Sequence, residues 1–447
     1  MPGSVARKFA WPALPLLGGV GVVITGLTLA TPFAFEAYGD NAFIALTVAA
    51  GLLTIAATYV AERAPPDRAL WLVFGFGIVL RVYVLLFDPF LSSDIYRYVW
   101  DGRVQAAGIN PYRYFPTHEA LAFLRDATIF PRINRADFAV TIYPPVAQFF
   151  FLIVTRISES VIAMRLALVG CEAVTVALIM LLLRRTNREV TRVVAYLWHP
   201  LPLWEIAGSG HVDALMVALM LLGLWMALTG HVLRGAVLIA LSVLVKPFAA
   251  PAFAGIWRPW DLRMPLVVIA TIAICYLPYL SAGWGVLGFL TKGYFTEEGI
   301  SAGYELWLLS LWRLAFGEHQ GDVAVYAVLA ALVLVLMGFW VARRSPDSIA
   351  ATLADINMLL LLALLLLSPN YPWYFLVIAP FTALCGSPPT WFVSIGALLL
   401  SEQLDWDFYI PRMVTKSILF GGLLLAWALV AWRKRMLRSA EARRLSP

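Results

Sequence analysis

Runs of apolar residues follow one another along almost the whole chain, and short segments between them hold most of the charged residues. A helix needs about 20 apolar residues to cross a bilayer. The pattern therefore predicts an all-α polytopic membrane protein with about 12–14 transmembrane helices. The predicted spans are 11–31, 41–61, 69–87, 160–183, 192–208, 211–229, 264–282, 322–342, 353–368, 371–386, 390–402 and 414–432.

Three further apolar segments are ambiguous: 143–157, 235–256 and 304–317. No region is polar enough to form a separate soluble domain. Residues 1–447 are therefore predicted to form a single transmembrane domain.

The composition supports this class, with 61% hydrophobic and 13% charged residues, against roughly 25% charged residues in soluble domains. The net charge of +6 does not indicate nucleic acid, because Arg and Lys lie in short loops between spans, as the positive-inside bias requires. The three cysteines and five histidines show no metal-ligand spacing. No metal or cofactor is expected.

The basic loops predict the orientation. Arg7 and Lys8 place the N-terminus in the cytoplasm, and the basic turn 62–68 returns there. Residues 88–142 then form a large external loop. The basic tail at 432–444 is predicted to be cytoplasmic.

The middle of the chain allows two arrangements. If 143–157 and 235–256 are simple crossings, the basic segment 184–192 lies outside, against the charge rule. If 143–157 lies at the surface or re-enters, and 235–256 is two half-spans that meet near Lys246, the segment 184–192 is cytoplasmic, which fits the charge rule better. The second arrangement puts three ionisable residues on the external side: Asp94, Asp213 and Lys246.

The stretch 92–116 departs most from the apolar pattern, since it combines two aspartates and three arginines with many aromatic residues. Ser92 or Ser93 can cap a helix that begins at Asp94, and Gly108 can end it. Helical spacing gathers five polar side chains on one face: Asp94, Arg97, Tyr98, Asp101 and Gln105. The apolar face of this interfacial, amphipathic helix would lie on lipid or on the bundle.

A plain surface helix held by Asp94–Arg97 and Arg97–Asp101 pairs explains the same pattern. The loop is long, however, and long loops in compact folds are usually functional or disordered; this one is too aromatic for disorder. A carboxylate can act as general base, and arginines can bind phosphate. Acyl, glycosyl or phosphoryl transfer at a membrane surface would use such a patch.

Six short motifs occur in order along the chain. They are S-D-x-Y-x-Y at 93–98, G-I-N-P-Y at 108–112, Y-P-P at 143–145, G-S-G-H-V-D-A-L at 208–215, V-K-P-F at 245–248 and S-P-N-Y-P-W-Y at 368–374. This set resembles the membrane glycosyltransferases of the C superfold, in particular the bacterial polyprenyl-phosphomannose-dependent mannosyltransferase-like branch.

The resemblance implies transfer of a hexose, expected to be mannose, from a polyprenyl phosphate to an extracytoplasmic glycan or glycolipid acceptor, with inversion at the anomeric centre. By its position in the first motif, Asp94 corresponds to the catalytic base, and Asp101 is the second candidate. Arg97, Arg103 and Lys246 are candidates for holding the phosphate. The other expected substrate-binding residues are Tyr96, Tyr98, Tyr143, His211, Asp213, Asn370, Tyr371 and Trp373.

Several of these residues have a plainer explanation. His211 and Asp213 can simply cap a helix start, close to its positive dipole end. Lys246 can snorkel or form a structural ion pair, although an ionisable residue inside an apolar run favours function. The aromatic residues at 370–374 can be an interfacial belt.

The sequence thus predicts a multi-pass enzyme of the bacterial inner membrane, whose partners are a lipid-linked donor, the acceptor and the bilayer, with its active site on the periplasmic or external face. One alternative is a secondary transporter or flippase, which would tend to show internal repeats and charges in broken helices; only Lys246-Pro247 favours it. The other is a polysaccharide polymerase or ligase with a diphosphate-linked donor.

Overall fold

The computed structural model describes residues 10–287, 293, 300–344, 348–401 and 412–445. Within these residues the ordered elements are helices and no strand is present, so the prediction of an all-α protein is confirmed. Arg7 and Lys8, on which the predicted N-terminal orientation rests, lie outside the described residues.

Thirteen helices of ten or more residues form the framework of the described chain. They are α1 Ala10–Tyr38, α2 Asp40–Ala61, α3 Pro66–Leu85, α4 Asp94–Ala106, α5 Pro145–Ile157, α6 Val161–Arg185, α7 Asp213–Leu228, α8 Val232–Val243, α9 Arg263–Tyr276, α10 Trp307–Phe316, α11 Asp322–Arg343, α12 Ile349–Leu367 and α13 Arg412–Leu445.

Short helices, and the kinked 3-10 segment Leu277–Leu287, connect these helices. They are Glu119–Leu124, Phe130–Arg132, Val190–Val193, Val194–Leu197, Pro200–Pro202, Leu203–Gly208, Pro247–Ala249, Ala252–Ile256, Leu277–Leu287, Pro372–Ile378, Pro380–Leu384, Pro388–Gly396 and Ala397–Ser401.

Among the described residues, eight helices are long and apolar enough to cross a membrane: α1, α2, α3, α6, α9 with its continuation to Val286, α11, α12 and α13. Eight of the predicted spans lie on them. The predicted spans 192–208, 371–386 and 390–402 are instead chains of short helices, and 211–229 is the 16-residue helix α7.

Proline explains the break inside 192–208. His199 precedes Pro200 and has an extended backbone (φ −68°, ψ 129°), because a residue before proline is disfavoured in the helical region. Hydropathy alone does not reveal this break, since the residues on both sides of it are mostly apolar.

The chain also breaks at Lys246, where two half-spans were predicted to meet. Helix α8 ends at Val243, and Lys246 has an extended backbone (φ −152°, ψ 142°) before the short turn Pro247–Ala249. The carbonyl of Leu244, just after α8, accepts hydrogen bonds from the amides of Val146 and Ala147, at 3.1 and 3.4 Å. The first turn of α5 thereby satisfies the broken end of α8.

Contacts between helix ends show which loops lie together at each end of the bundle. On one side, Arg165 near the start of α6 donates to the carbonyls of Val84 and Phe87 at the end of α3. On the other, Arg192 pairs with Glu62 in the turn between α2 and α3. The long loop after α3 thus lies at the end opposite the basic turn 62–68.

The long loop itself is built on α4, which begins at Asp94 as predicted. Most residues of this helix are buried, on nearly every side of it. Its apolar face therefore lies on the bundle. Gly102 marks its closest approach to α5, because a Cβ at this position would lie 2.5 Å from the carbonyl oxygen of Phe151 and 2.5 Å from Oγ1 of Thr155.

We expect Gly102→Ala to destabilise the protein by about 1–3 kcal/mol, because overpacking against backbone forces the two helices apart. Gly75→Ala in α3 is the matched control, since a Cβ there meets nothing within 4 Å. Thermal unfolding in detergent should show a lower Tm for G102A and an equal or higher Tm for G75A. Equal Tm values for G102A and the wild type would contradict the close packing of α4 on α5.

Candidate functional site

A cavity of about 800 Å³ opens at the end of the bundle that carries the long loop. Its wall combines parts of the chain that are far apart in sequence: the segment before α4, the segment 132–143, Glu205, Lys246, the segment 371–374 and Ser401. Seven of the sequence-predicted site residues line this cavity: Asp94, Tyr96, Arg97, Tyr143, Lys246, Tyr371 and Trp373.

Asp94 is the first residue of α4, and its side chain is 18% exposed toward the cavity. Its Oδ1 accepts a hydrogen bond from Nδ2 of Asn134 at 2.8 Å, and its Oδ2 accepts one from the hydroxyl of Tyr143 at 3.3 Å. Ser92, one of the two predicted caps, accepts from the amide of Asp94 through its Oγ. The start of a helix suits a negative charge, so Asp94 is an oriented carboxylate with access to a ligand.

Two tyrosines predicted to bind substrate form the floor beneath Asp94. Tyr143 lies edge-on to Tyr98 with ring centroids 5.0 Å apart, and Tyr98 stacks on Phe151 at 4.5 Å. Burial and the charge of Asp94 raise the pKa of both phenols well above their usual value. Both are therefore neutral, and Tyr143 is the one that reaches the cavity.

Asp101, the second candidate for the base, is buried away from the cavity wall. Its Oδ1 accepts from Nε of Arg97 at 2.8 Å, and its Oδ2 accepts from Nε2 of Gln148 at 3.0 Å. Arg97 also donates to the carbonyl of Ala139 and lines the cavity. The geometry therefore favours Asp101 as a residue that orients Arg97.

Arg103 lies outside the cavity and joins two parts of the long loop to the turn between α5 and α6. It donates to Asp126 and to Glu159, both at 2.8 Å, and to the carbonyl of Leu124. Although partial burial acts in the opposite direction, the hydrogen bonds from Arg103 and from backbone amides hold the pKa of Asp126 well below its usual value. This arrangement favours an anchoring role for Arg103 over phosphate binding.

Lys246 and Asp213 form a buried ion pair at the back of the cavity. Nζ of Lys246 lies 2.5 Å from Oδ2 of Asp213, whose side chain is fully buried. The ammonium also lies 5.0 Å from the centroid of the Tyr374 ring. Since Lys246 lines the cavity, its charge can reach a bound anion while Asp213 holds it in place.

The segment 371–374 forms an aromatic wall. The rings of Tyr371 and Trp373 are parallel within 4°, with centroids 4.4 Å apart, and Trp373 stacks on His211 at 4.1 Å. Asn370 is buried outside the wall, where its Oδ1 accepts from Nζ of Lys416 at 2.6 Å. Asn370 thus ties this wall to α13.

Four lining residues with charged or amide side chains were not predicted from the sequence: Arg132, Asn134, Arg135 and Glu205. Arg132 donates to the hydroxyl of Tyr96 at 2.6 Å and lies over the Tyr96 ring. Arg135 has a positive φ of 53°, which is uncommon for a residue other than glycine. Glu205 had a detectable signal, since it is an ionisable residue within an apolar run.

No group of three or more His, Cys, Asp or Glu residues in the described ranges is arranged to hold a metal ion. The cavity instead offers carboxylates, cations and aromatic rings. These are the groups needed to move a proton, bind an anion and hold a sugar.

An all-helical membrane bundle with such a cavity beside a long loop fits the class of polytopic membrane glycosyltransferases. The chain belongs to the family described as alpha-(1->6)-mannopyranosyltransferase, N-terminal domain, which it matches over residues 18–260. The sequence-based resemblance to mannosyltransferases is thereby confirmed. The matched region runs from α1 to beyond Lys246 and includes Asp94, Glu205 and His211.

One similar curated protein is alpha-(1->6)-mannopyranosyltransferase A of Mycobacterium tuberculosis, which is 28% identical over 228 residues, or 46% of this chain and 43% of that protein. The chain thus matches less than half the length of this relative. No solved structure matches the chain.

Proposed function

We propose that the protein transfers mannose from a polyprenyl-phosphate donor to a mannose-containing glycan or glycolipid outside the cytoplasm. The observation that carries this proposal is the placement of one accessible carboxylate, Asp94, in the same cavity as Arg97 and Lys246. The name of the mycobacterial relative supports mannose as the sugar and an α-(1→6) bond as the product.

In the proposed step, Asp94 takes the proton of the acceptor hydroxyl as this oxygen bonds to the anomeric carbon of the donor mannose. The bond between that carbon and the phosphate oxygen breaks, and the electron pair leaves with the polyprenyl phosphate. Lys246, Arg97 and Arg132 face the cavity and would stabilise the charge that develops on the phosphate. Tyr371 and Trp373 offer aromatic faces for a sugar ring.

Apolar residues on the cavity wall suit the lipid part of such a donor. Phe90, Leu91 and Leu400 line the same space as Asp94. A polyprenyl chain can lie against them while its phosphate reaches the cations. This combination favours a lipid-linked donor over a water-soluble nucleotide sugar.

The product tests the assigned linkage. Purified protein, a lipid-linked mannose donor and a short mannoside acceptor should yield an oligosaccharide whose acceptor mannose is substituted at its O6 position, as read by methylation analysis. Substitution at another hydroxyl would reject the α-(1→6) assignment, and release of free mannose without acceptor modification would reject transfer.

We further propose that the cavity faces the outside of the bacterial inner membrane. The basic turn 62–68 lies at the opposite end of the bundle, and the positive-inside bias assigns such turns to the cytoplasm. The basic segment 184–192 contacts that same end through the ion pair between Arg192 and Glu62.

This orientation predicts the outcome of cysteine labelling in a variant without its three native cysteines. In intact cells, a membrane-impermeant thiol reagent should not modify Cys introduced at Arg188 or at Trp260, which is 85% exposed. It should modify Cys introduced at the exposed Phe138 of the long loop. The reverse labelling pattern would place the cavity in the cytoplasm.

A further inference from the structure

Glu205 and His211 form a buried pair next to Asp94. Glu205 is 1% exposed and His211 is 0% exposed, and Nε2 of His211 lies 3.2 Å from Oε2 of Glu205. None of the four side-chain nitrogen and oxygen atoms of this pair completes a hydrogen bond of good geometry. Buried polar groups are nearly always paired, so this pair needs an explanation.

The backbone around the pair is specialised. Leu203–Gly208 is a π-helical turn, a rare form that is frequent at functional sites. The amide of His211 donates to the carbonyl of Glu205 at 2.9 Å. Gly210 has a φ of 76°, and a Cβ there would lie 2.3 Å from Cδ1 of Ile95, so the turn packs directly on the residue after Asp94.

Stacking fixes the plane of the imidazole ring. His211 lies 4.1 Å from Trp373, centroid to centroid, with an angle of 22° between the rings. Nε2 then faces Glu205, and Nδ1 lies 4.0 Å from Oδ2 of Asp94. A small shift, or one water molecule, would complete a hydrogen bond to Asp94, and such catalytic hydrogen bonds are often long before substrate binds.

The groups facing the pair determine where its proton resides. Burial and the carboxylate of Asp213 raise the pKa of Glu205 to about 8, with Lys246 acting in the opposite direction. Burial and the charge of Lys246 lower the pKa of His211 well below its usual value. Both residues lie outside the eight candidate spans. These shifts favour a protonated Glu205 beside a neutral imidazole at neutral pH.

The buried charged side chains on the helices packed around this turn have partners other than Glu205 and His211. Arg81 of α3 is paired with Glu172 of α6. Arg165 of α6 donates to backbone carbonyls, including that of Ala207. On Pro372–Ile378 the titratable side chain is Tyr374, which lies against Lys246.

We propose that protonated Glu205 is a positioning residue: it donates to Nε2 of His211 and so keeps the imidazole N–H on Nδ1, where it faces Asp94. This inference rests on the proposed function, in which Asp94 is the base. The donated N–H would hold Oδ2 of Asp94 ready to accept the proton of the acceptor hydroxyl.

Ionisation of Glu205 would reverse this arrangement. Glu205 releases its proton to solvent, and the imidazole proton then resides on Nε2, where it bonds to the new carboxylate. The lone pair of Nδ1 now faces Asp94, and a negative charge appears in the wall of a cavity that holds the donor phosphate. Both changes lower activity, the first through kcat and the second through a higher KM for the donor.

The test is the pH profile of mannosyl transfer by the reconstituted protein, wild type beside Glu205→Gln. Glutamine cannot ionise, and its amide can donate to Nε2 of His211. We expect wild-type kcat/KM to fall as pH rises through about 8, the region in which a shifted Glu205 titrates. E205Q should have a lower rate at neutral pH, by about two- to tenfold, and no decline through this region. Glu159→Gln, an exposed carboxylate outside the cavity, should keep the wild-type profile.

An unchanged decline in E205Q would overturn the role of Glu205, whereas absence of mannosyl transfer by the wild type would overturn the proposed function itself. If E205Q does not fold, a second measurement on the wild type still tests the proposal. Infrared spectra of the wild type should show a protonated carboxyl at neutral pH that is lost as pH rises through about 8. Absence of such a band would also contradict the proposal.

Discussion

Replacing Asp94 with asparagine is expected to lower kcat for mannosyl transfer by about 10²- to 10⁴-fold, the usual contribution of a general base. Asparagine keeps the size of the side chain and can still accept from Asn134 through its carbonyl oxygen, so the fold and the KM for the donor should change little. Steady-state kinetics with a lipid-linked donor, together with thermal unfolding, separate these effects.

Asp101→Asn is the matched comparison, because it removes a charge from the same helix at a residue that does not line the cavity. We expect a weaker effect that falls mainly on the KM for the donor, since Arg97 loses its carboxylate partner. If D94N retained wild-type kcat and D101N lost it, Asp101 would be the base, and the proposed role of Asp94 would be wrong.

Lys246→Met is expected to destabilise the protein and to abolish donor binding. Removing one partner of a buried ion pair leaves the other charge uncompensated, at a cost of about 3–5 kcal/mol, and here the charge left behind is Asp213. The free energy of unfolding in detergent and the KM for the donor measure the two effects.

The double variant Lys246→Met, Asp213→Leu separates stability from function. Replacing a buried pair by apolar residues of similar volume is often neutral or stabilising, so its stability should return toward that of the wild type. Its activity should remain lost, because the cation that meets the donor phosphate is still absent. Wild-type activity in the double variant would show that the pair is only structural.

Local patterns in the sequence were sufficient to predict the elements that depend on neighbouring residues. Continuous apolar runs predicted the eight long helices, and the two serines before Asp94, Ser92 and Ser93, predicted the start of α4. In both cases the cause lies within a few residues of the feature. The break near Lys246 was predicted differently, from the positive-inside bias of the basic loops along the chain.

The remaining features of the site depend on contacts between residues that are far apart in the sequence. Helical spacing placed Asp94 and Asp101 on one face of α4, but it could not show that Asn134 approaches the first and Gln148 the second. Likewise, the sequence predicted Asn370 to bind substrate, yet its side-chain oxygen accepts a hydrogen bond from Lys416 on α13. Which residues face a cavity depends on how separate helices pack against one another. The local periodicity of a single sequence does not show this packing.

The identity of the donor is the most direct test of the proposed function. Proteoliposomes that contain the wild-type protein should transfer radiolabelled mannose from polyprenyl-phosphate mannose in the bilayer to a mannoside acceptor, and D94N proteoliposomes should not. Transfer from a nucleotide-linked mannose in solution, with none from the lipid-linked donor, would contradict the proposal that the donor is a polyprenyl-phosphate mannose.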